Sequence, residues 1–227
     1  MSAGNDSPRA EILRAIRRAL GRDAPLDPGI ARALASRAPQ PHPRPHYSAG
    51  LAQRFAQKLR AADGSVDFAD NNADIAARVD AYLARHNLGN TVALAPDRRL
   101  DRIPWPAHWQ AERRNAHPGD GVSITPAFAA IAETGSVALT TSAQTPAALN
   151  LLPATHIVIV EEKQIVPYME DVWQLLRAAN HNPRALFFIT GPSRTADIEQ
   201  TLQLGAHGPT RFFVVVGRSC GEFQPGL

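Results

Sequence analysis

An α/β protein built on a mainly parallel central sheet is what this chain predicts, on three observations. Short β-branched or aromatic runs, TVALA at 91–95, HIVIV at 156–160 and FFVVV at 212–216, have the length and continuity of strands covered on both faces. Between them, apolar residues recur at helical spacing: Ile75, Val79, Tyr82 and Leu83, then Val172, Leu175 and Leu176. This β–α–β rhythm favours parallel pairing, because a crossover helix returns the chain to the same end of the sheet.

At 227 residues, 44% hydrophobic and 20% charged, the chain is long and apolar enough for one substantial core. A single cysteine, Cys220, excludes both an intramolecular disulfide framework and a self-supplied cysteine-ligated iron–sulfur cluster. No apolar run is long enough to span a membrane. The first residues lack the compact apolar core of a secretory signal because arginines interrupt them, so a cytoplasmic protein is expected. Charge is uneven: residues 1–60 carry 11 Lys/Arg against 4 Asp/Glu, and the remainder 13 against 17. The basic arm suits nucleic acid or an acidic partner protein, or is a solvated helix face.

Taken in order, Ser7–Pro8 reads as a helix start and Gly21 as its stop, with Ile12, Leu13, Ile16 and Leu20 as an apolar stripe among arginines. A proline-rich tether follows, with a short helical patch near 30–37; PQPHPRPH at 39–46 excludes regular helix or central strand. Its His42 and His46 have no carboxylate or cysteine companions, so no metal site is assigned. The domain is expected to begin near Tyr47, with a helix carrying Leu51, Phe55 and Leu59, a strand at 65–68, and a helix capped by Asn72 or Asp74. Residues 96–120 give no clear pattern beyond Trp105 and Trp109 packing a loop or helix. From Val122 the expected elements are strands at 122–125 and 136–141, a short helix or buried run at 127–132, and a helical turn at 146–152. A helix at 168–179, a strand at 186–190, a helix at 195–203 and a last strand at 212–216 complete the order. The boundaries are thus an arm at 1–46, an α/β domain at 47–216 and a tail at 217–227.

Two glycine-marked stretches carry the candidate chemistry. In GPSRTADIE, a strand running into Gly191–Pro192 and a helix starting at Thr195 would expose amides at Ser193, Arg194 and Thr195. Arg194 adds a fork suited to carboxylate or phosphate. Helix capping by Thr195, Asp197 and Glu199 explains the same residues. In IAETGS, Gly135 permits a close backbone approach beside Thr134 and Ser136. Glu133, at the edge of an apolar stretch, is a candidate base or acyl-accepting nucleophile, or else a solvent-facing turn residue. His207 in GAHGP is placed to point back toward the same crevice, although a lone histidine is more often structural. A Walker phosphate loop is absent.

IAETGSVAL, LNLLPATHIVIVEEKQIV and GPSRTADIEQTLQLGAHGP, in that order across residues 47–216, closely resemble the lactate-utilization protein C family of LUD-domain proteins. The resemblance implies a three-layer sandwich with a mainly parallel sheet, related to the NagB/RpiA/CoA-transferase group. It also implies an accessory, non-redox role in oxidising L-lactate to pyruvate, beside iron–sulfur partner proteins that carry the clusters. No cofactor is then expected on this chain; a small anion is the expected ligand, and homo-oligomerisation is left open. The related CoA transferases use a glutamate nucleophile, which makes acyl or CoA transfer through Glu133 the alternative activity, although the residues around Glu133 do not match theirs. A nucleic-acid-binding regulator ranks last, since no helix-turn-helix spacing or aromatic RNA-binding motif accompanies the arginines.

Overall fold

The computed structural model describes residues 7–21, 27–35, 44–47, 50–196, 202–204 and 208–218. Two compact units result, Met1–Pro45 and His46–Leu227. In the first, α1 (Pro8–Ala19) starts as its sequence directs: the Ser7 side chain accepts from the Ala10 amide at 3.3 Å and Pro8 occupies the first turn. Ile12, Ile16 and Leu20 form one exposed apolar stripe. A second helix, α2, covers Pro28–Ala35.

The second unit runs α3 (Leu51–Ala61), β1 (Ser65–Ala69), α4 (Asn72–Arg85), β2 (Thr91–Leu94), a 3-10 turn (Arg98–Arg102), β3 (Gln110–Arg113), β4 (Val122–Pro126), β5 (Ala129–Ile131) and β6 (Ser136–Thr140). It continues with α5 (Ala148–Leu151), β7 (Thr155–Glu161), β8 (Ile165–Val166), α6 (Met169–Ala178), β9 (Leu186–Ile189), β10 (Arg194–Ala196), β11 (Leu202–Leu204) and β12 (Arg211–Gly217). Six strands make one sheet in the order β1-β12-β7-β4-β2-β3, every pairing parallel. A second sheet, β8-β5-β6-β9, is mixed.

Side-chain alternation sets the layers. Ile157 and Ile159 of β7, with Phe213 and Val215 of β12, pack against Ile75, Val79 and Leu83 of α4. Their neighbours Val158, Val160, Phe212, Val214 and Val216 pack on Phe55 and Leu59 of α3 and on Val137 and Leu139 of β6. The outer face of the second sheet, Ala129, Ile131 and Ala138, is closed by Val172 and Leu176 of α6. Both faces of the parallel sheet are therefore dry at β7 and β12, which is why these strands read as unbroken apolar runs. Each fully buried Val or Ile there contributes about 1.5–3 kcal/mol.

Three expectations are corrected. The helix foreseen over 195–203 is not what its described ends form: Arg194–Ala196 pairs antiparallel with Leu202–Leu204, Thr195 opposite Gln203. Cross-strand pairing overrides the local capping pattern. The strand at 186–190, expected to be buried, is half-buried at the edge of the mixed sheet. Residues 129–131 are strand where a short helix was one option.

The patternless stretch 96–120 is held by polar geometry. The Arg114 guanidinium donates to both carboxylate oxygens of Asp120, at 2.7 and 2.9 Å, and the Asp120 carboxylate also accepts from the His117 amide at 2.7 Å. Arg114 holds the Asp120 carboxyl down at about 2. Asp120→Asn breaks this fork and is expected to destabilise the domain by about 1–3 kcal/mol at neutral pH. With its pKa depressed, Asp120 contributes stability above the ordinary carboxylate range and loses it as pH falls toward 2. The deficit of the variant, measured by chemical denaturation, should therefore shrink on acidification.

Candidate functional site

The antiparallel pairing of β6 with β9, Val137 opposite Ile189, sets the bend before β6 beside the bend after β9. Hydroxyls lock them together: Ser136 Oγ is hydrogen-bonded to Thr190 Oγ1, and Thr134 Oγ1 to Ser136 Oγ at 2.7 Å. Gly135 (φ +73°) and Gly191 (φ +84°) both press on the end of α3. A Cβ added at Gly135 would lie 2.3 Å from the Leu59 amide nitrogen, and one at Gly191 2.2 Å from the Ala62 carbonyl oxygen. The close approach foreseen at Gly135 is thus made to a helix backbone. Ser193 follows, its amide donating to Pro209 O at 2.8 Å. Arg194 forms an exposed ion pair with Asp63, just beyond α3.

The structure therefore lines up Thr134, Gly135, Ser136, Ser193 and Arg194 along one helix end. The helix N-terminus that was to supply amides at Ser193–Thr195 does not form, and an anion at Arg194 would have to displace the Asp63 carboxylate. Thr195 sits within β10; His207 lies outside the described residues.

Glu133 immediately precedes this line in the chain. Its amide donates to Pro167 O at 3.1 Å, turning it toward the start of α6. Nearby, the Arg54 guanidinium lies 3.6 Å over the Tyr47 ring, whose centroid is 5.5 Å from that of Tyr168. Burial, and next the Glu133 charge, push the Tyr47 phenol up, while Arg54 opposes them. Arg54 Nε is buried without a hydrogen-bond partner among the described residues. Sequence reading missed Tyr47, Arg54 and Tyr168 as neighbours of Glu133, because aromatic and cationic side chains scattered over 120 residues carry no spacing signal.

A separate cleft opens at the carboxyl ends of β2, β4 and β7. Asn72, Ile75, Arg102, Ile103, Ile159 and Glu161 face it. Its rim is rigid: Arg99 grips Asp97 through two bonds of 2.9 and 2.8 Å and donates to Ala127 O at 2.8 Å. Gln164 Nε2 reaches the same carbonyl at 3.1 Å. Burial alone would raise the Asp97 carboxyl; the Arg99 bonds outweigh it and hold it below the usual range. Arg102 pairs with no carboxylate among the described residues. Ligands of open α/β sheets bind at this end of the strands.

A LUD domain model matches residues 52–216, nearly three-quarters of the chain. The chain belongs to the LUD-domain family. It is similar to Lactate utilization protein C of Geobacillus kaustophilus, 29% identical over 95% of this chain and 98% of that protein. The protein of the same name from Anoxybacillus flavithermus is 28% identical over 64% of this chain and 71% of its own length; that of Bacillus subtilis is 39% identical over 40% and 39%. The crystal structure of a DUF162 family protein from Deinococcus radiodurans superposes with a TM-score of 0.55 at 23% identity, covering 76% of this LUD-domain chain and 99% of that one. That likeness concerns the fold alone. Among the described residues no helix is long and apolar enough to cross a membrane.

Proposed function

We propose that this LUD-domain protein serves lactate utilization as a cytoplasmic, accessory, non-redox component of an iron–sulfur L-lactate oxidation system. The observation that carries the reading is the near full-length similarity to a protein named Lactate utilization protein C. Clusters reside on partner proteins in this reading, consistent with one cysteine in the chain. The basic stripe-bearing α1 is the element offered to those partners, and a small anion is the ligand. Deleting the gene is expected to abolish growth of its host on L-lactate while leaving growth on pyruvate intact; undiminished growth on L-lactate overturns the reading. A form truncated before Tyr47 should recover less of the cluster proteins on co-purification, and equal recovery removes the role of α1.

The second reading, acyl or CoA transfer through Glu133, draws on the Arg54 and Tyr47 groups around that carboxylate. In it a carboxylate oxygen bonds the acyl carbon of a thioester as the CoA thiolate leaves. The accessory role predicts an unchanged protein mass after incubation with acetyl-CoA. A hydroxylamine-sensitive acetyl adduct, lost in Glu133→Gln, would establish the transferase instead.

A further inference from the structure

We propose that the cleft at the carboxyl ends of β2, β4 and β7 is the ligand site, and that it takes a compact 2-hydroxy monocarboxylate. The inference names the site and substrate class of the small anion in the preceding reading, but its geometry is independent of that role. Arg99 is consumed by Asp97 and by the Ala127 carbonyl, so Arg102 is the guanidinium left at the opening. A guanidinium fork suits a carboxylate. The half-buried Asn72 side chain, which makes no hydrogen bond among the described residues, supplies a further polar contact on the same wall.

Ile75, Ile103 and Ile159 give the inner wall an apolar surface fitted to a short aliphatic body and not to a polyol. Glu161 sets the remaining selectivity. Its carboxylate is held by Lys163 at 2.9 Å and by the Gln164 main-chain amide, and its own amide donates to Gln164 Oε1 at 2.7 Å; the carboxylate's remaining lone pairs are the acceptors for a ligand hydroxyl. With Lys163 pairing Glu161, the charges of Arg102, Lys163 and Glu161 sum to one positive unit, which suits a monoanion better than a dianion such as phosphate. The 2-hydroxy acid should therefore bind better than the corresponding 2-keto acid, which brings no donor.

Titration of the full chain with sodium L-lactate, pyruvate and inorganic phosphate at constant ionic strength, followed by calorimetry or ligand-observed NMR, tests this. Lactate should saturate, pyruvate should bind more weakly, and phosphate should not compete. Arg102→Gln should weaken lactate about tenfold or more, the loss expected of a charge-assisted bond, whereas Arg194→Gln should leave it unchanged. Glu161→Gln should narrow the lactate–pyruvate difference. Unfolding curves of each variant show that it is folded before its affinity is read, and Arg102→Lys, keeping the charge, should fall between wild type and Arg102→Gln. Wild-type affinity in folded Arg102→Gln, or no saturable binding of either acid, overturns the site. Those results say nothing against growth on L-lactate, so the two readings fail separately.

Discussion

Gly135→Ala is expected to lower the melting temperature of the domain by on the order of 10 °C. Two separate effects add. A φ of +73° is left-handed, which disfavours any residue bearing a Cβ by about 1–2 kcal/mol. The new methyl would also stand 2.3 Å from Leu59 N and 2.6 Å from Lys58 C, both main-chain atoms of a packed helix that cannot rotate aside. Overpacking of that kind costs about 1–3 kcal/mol. The total, about 2–5 kcal/mol, converts at about 2–4 °C per kcal/mol for a domain of this size. Gly191→Ala should behave alike, since φ is +84° and the Ala62 carbonyl lies 2.2 Å from its Cβ. Gly119→Ala is the control: φ is +94° but nothing lies within 4 Å, so only the conformational cost of about 1–2 kcal/mol remains. Calorimetric melts of the three variants decide the matter. Equal losses at all three positions would show that contact with α3 contributes nothing.

That prediction also shows why the glycine-marked bends were visible in the sequence while their purpose was not. Gly135 and Gly191 read as bends because small and polar residues interrupt apolar segments, and bends they are. Whether the space beside a glycine is filled by ligand or by helix is a tertiary fact with no local signature. The central strands were legible for the opposite reason: His156–Val160 and Phe212–Val216 are covered on both faces, so burial writes itself into composition.

Exposure erased the rest. β3, with sequence QAER, is an edge strand exposed throughout and has no apolar pattern to read. β9 reads as a buried strand because LFFI is uniformly apolar; its half-buried place in the mixed sheet depends on β6. The β10–β11 hairpin was mistaken for helix because Thr195, Asp197 and Glu199 satisfy helix-start chemistry locally. The cleft had a usable cue. Asp97 to Arg102 follow the buried strand β2, and residues just past such a strand stand at its carboxyl end, where ligands of parallel sheets collect. Without an apolar pattern those residues drew no functional reading.

The second large effect concerns His156, whose ring is fully buried against Phe212 with Nε2 2.7 Å from Thr125 Oγ1. An imidazolium needs acceptors for two N–H groups, and Nδ1 has none among the described residues. Burial accordingly pushes the His156 imidazole down to about 3. In the unfolded chain a histidine titrates near 6.5. Between those values the unfolded state binds the extra proton, so stability rises with pH and is lost as pH falls below about 6.5. The slope approaches about 1.4 kcal/mol per pH unit and continues down toward pH 3. His156→Phe combined with Thr125→Val removes the titrating ring without stranding the hydroxyl, at an expected cost of about 1–3 kcal/mol at pH 8. Its disadvantage should shrink as pH is lowered from 6.5 to 5, because the wild type alone carries this slope. The carboxylates common to both proteins cancel in the difference. Parallel denaturation curves for the two across that range would contradict a neutral, buried His156.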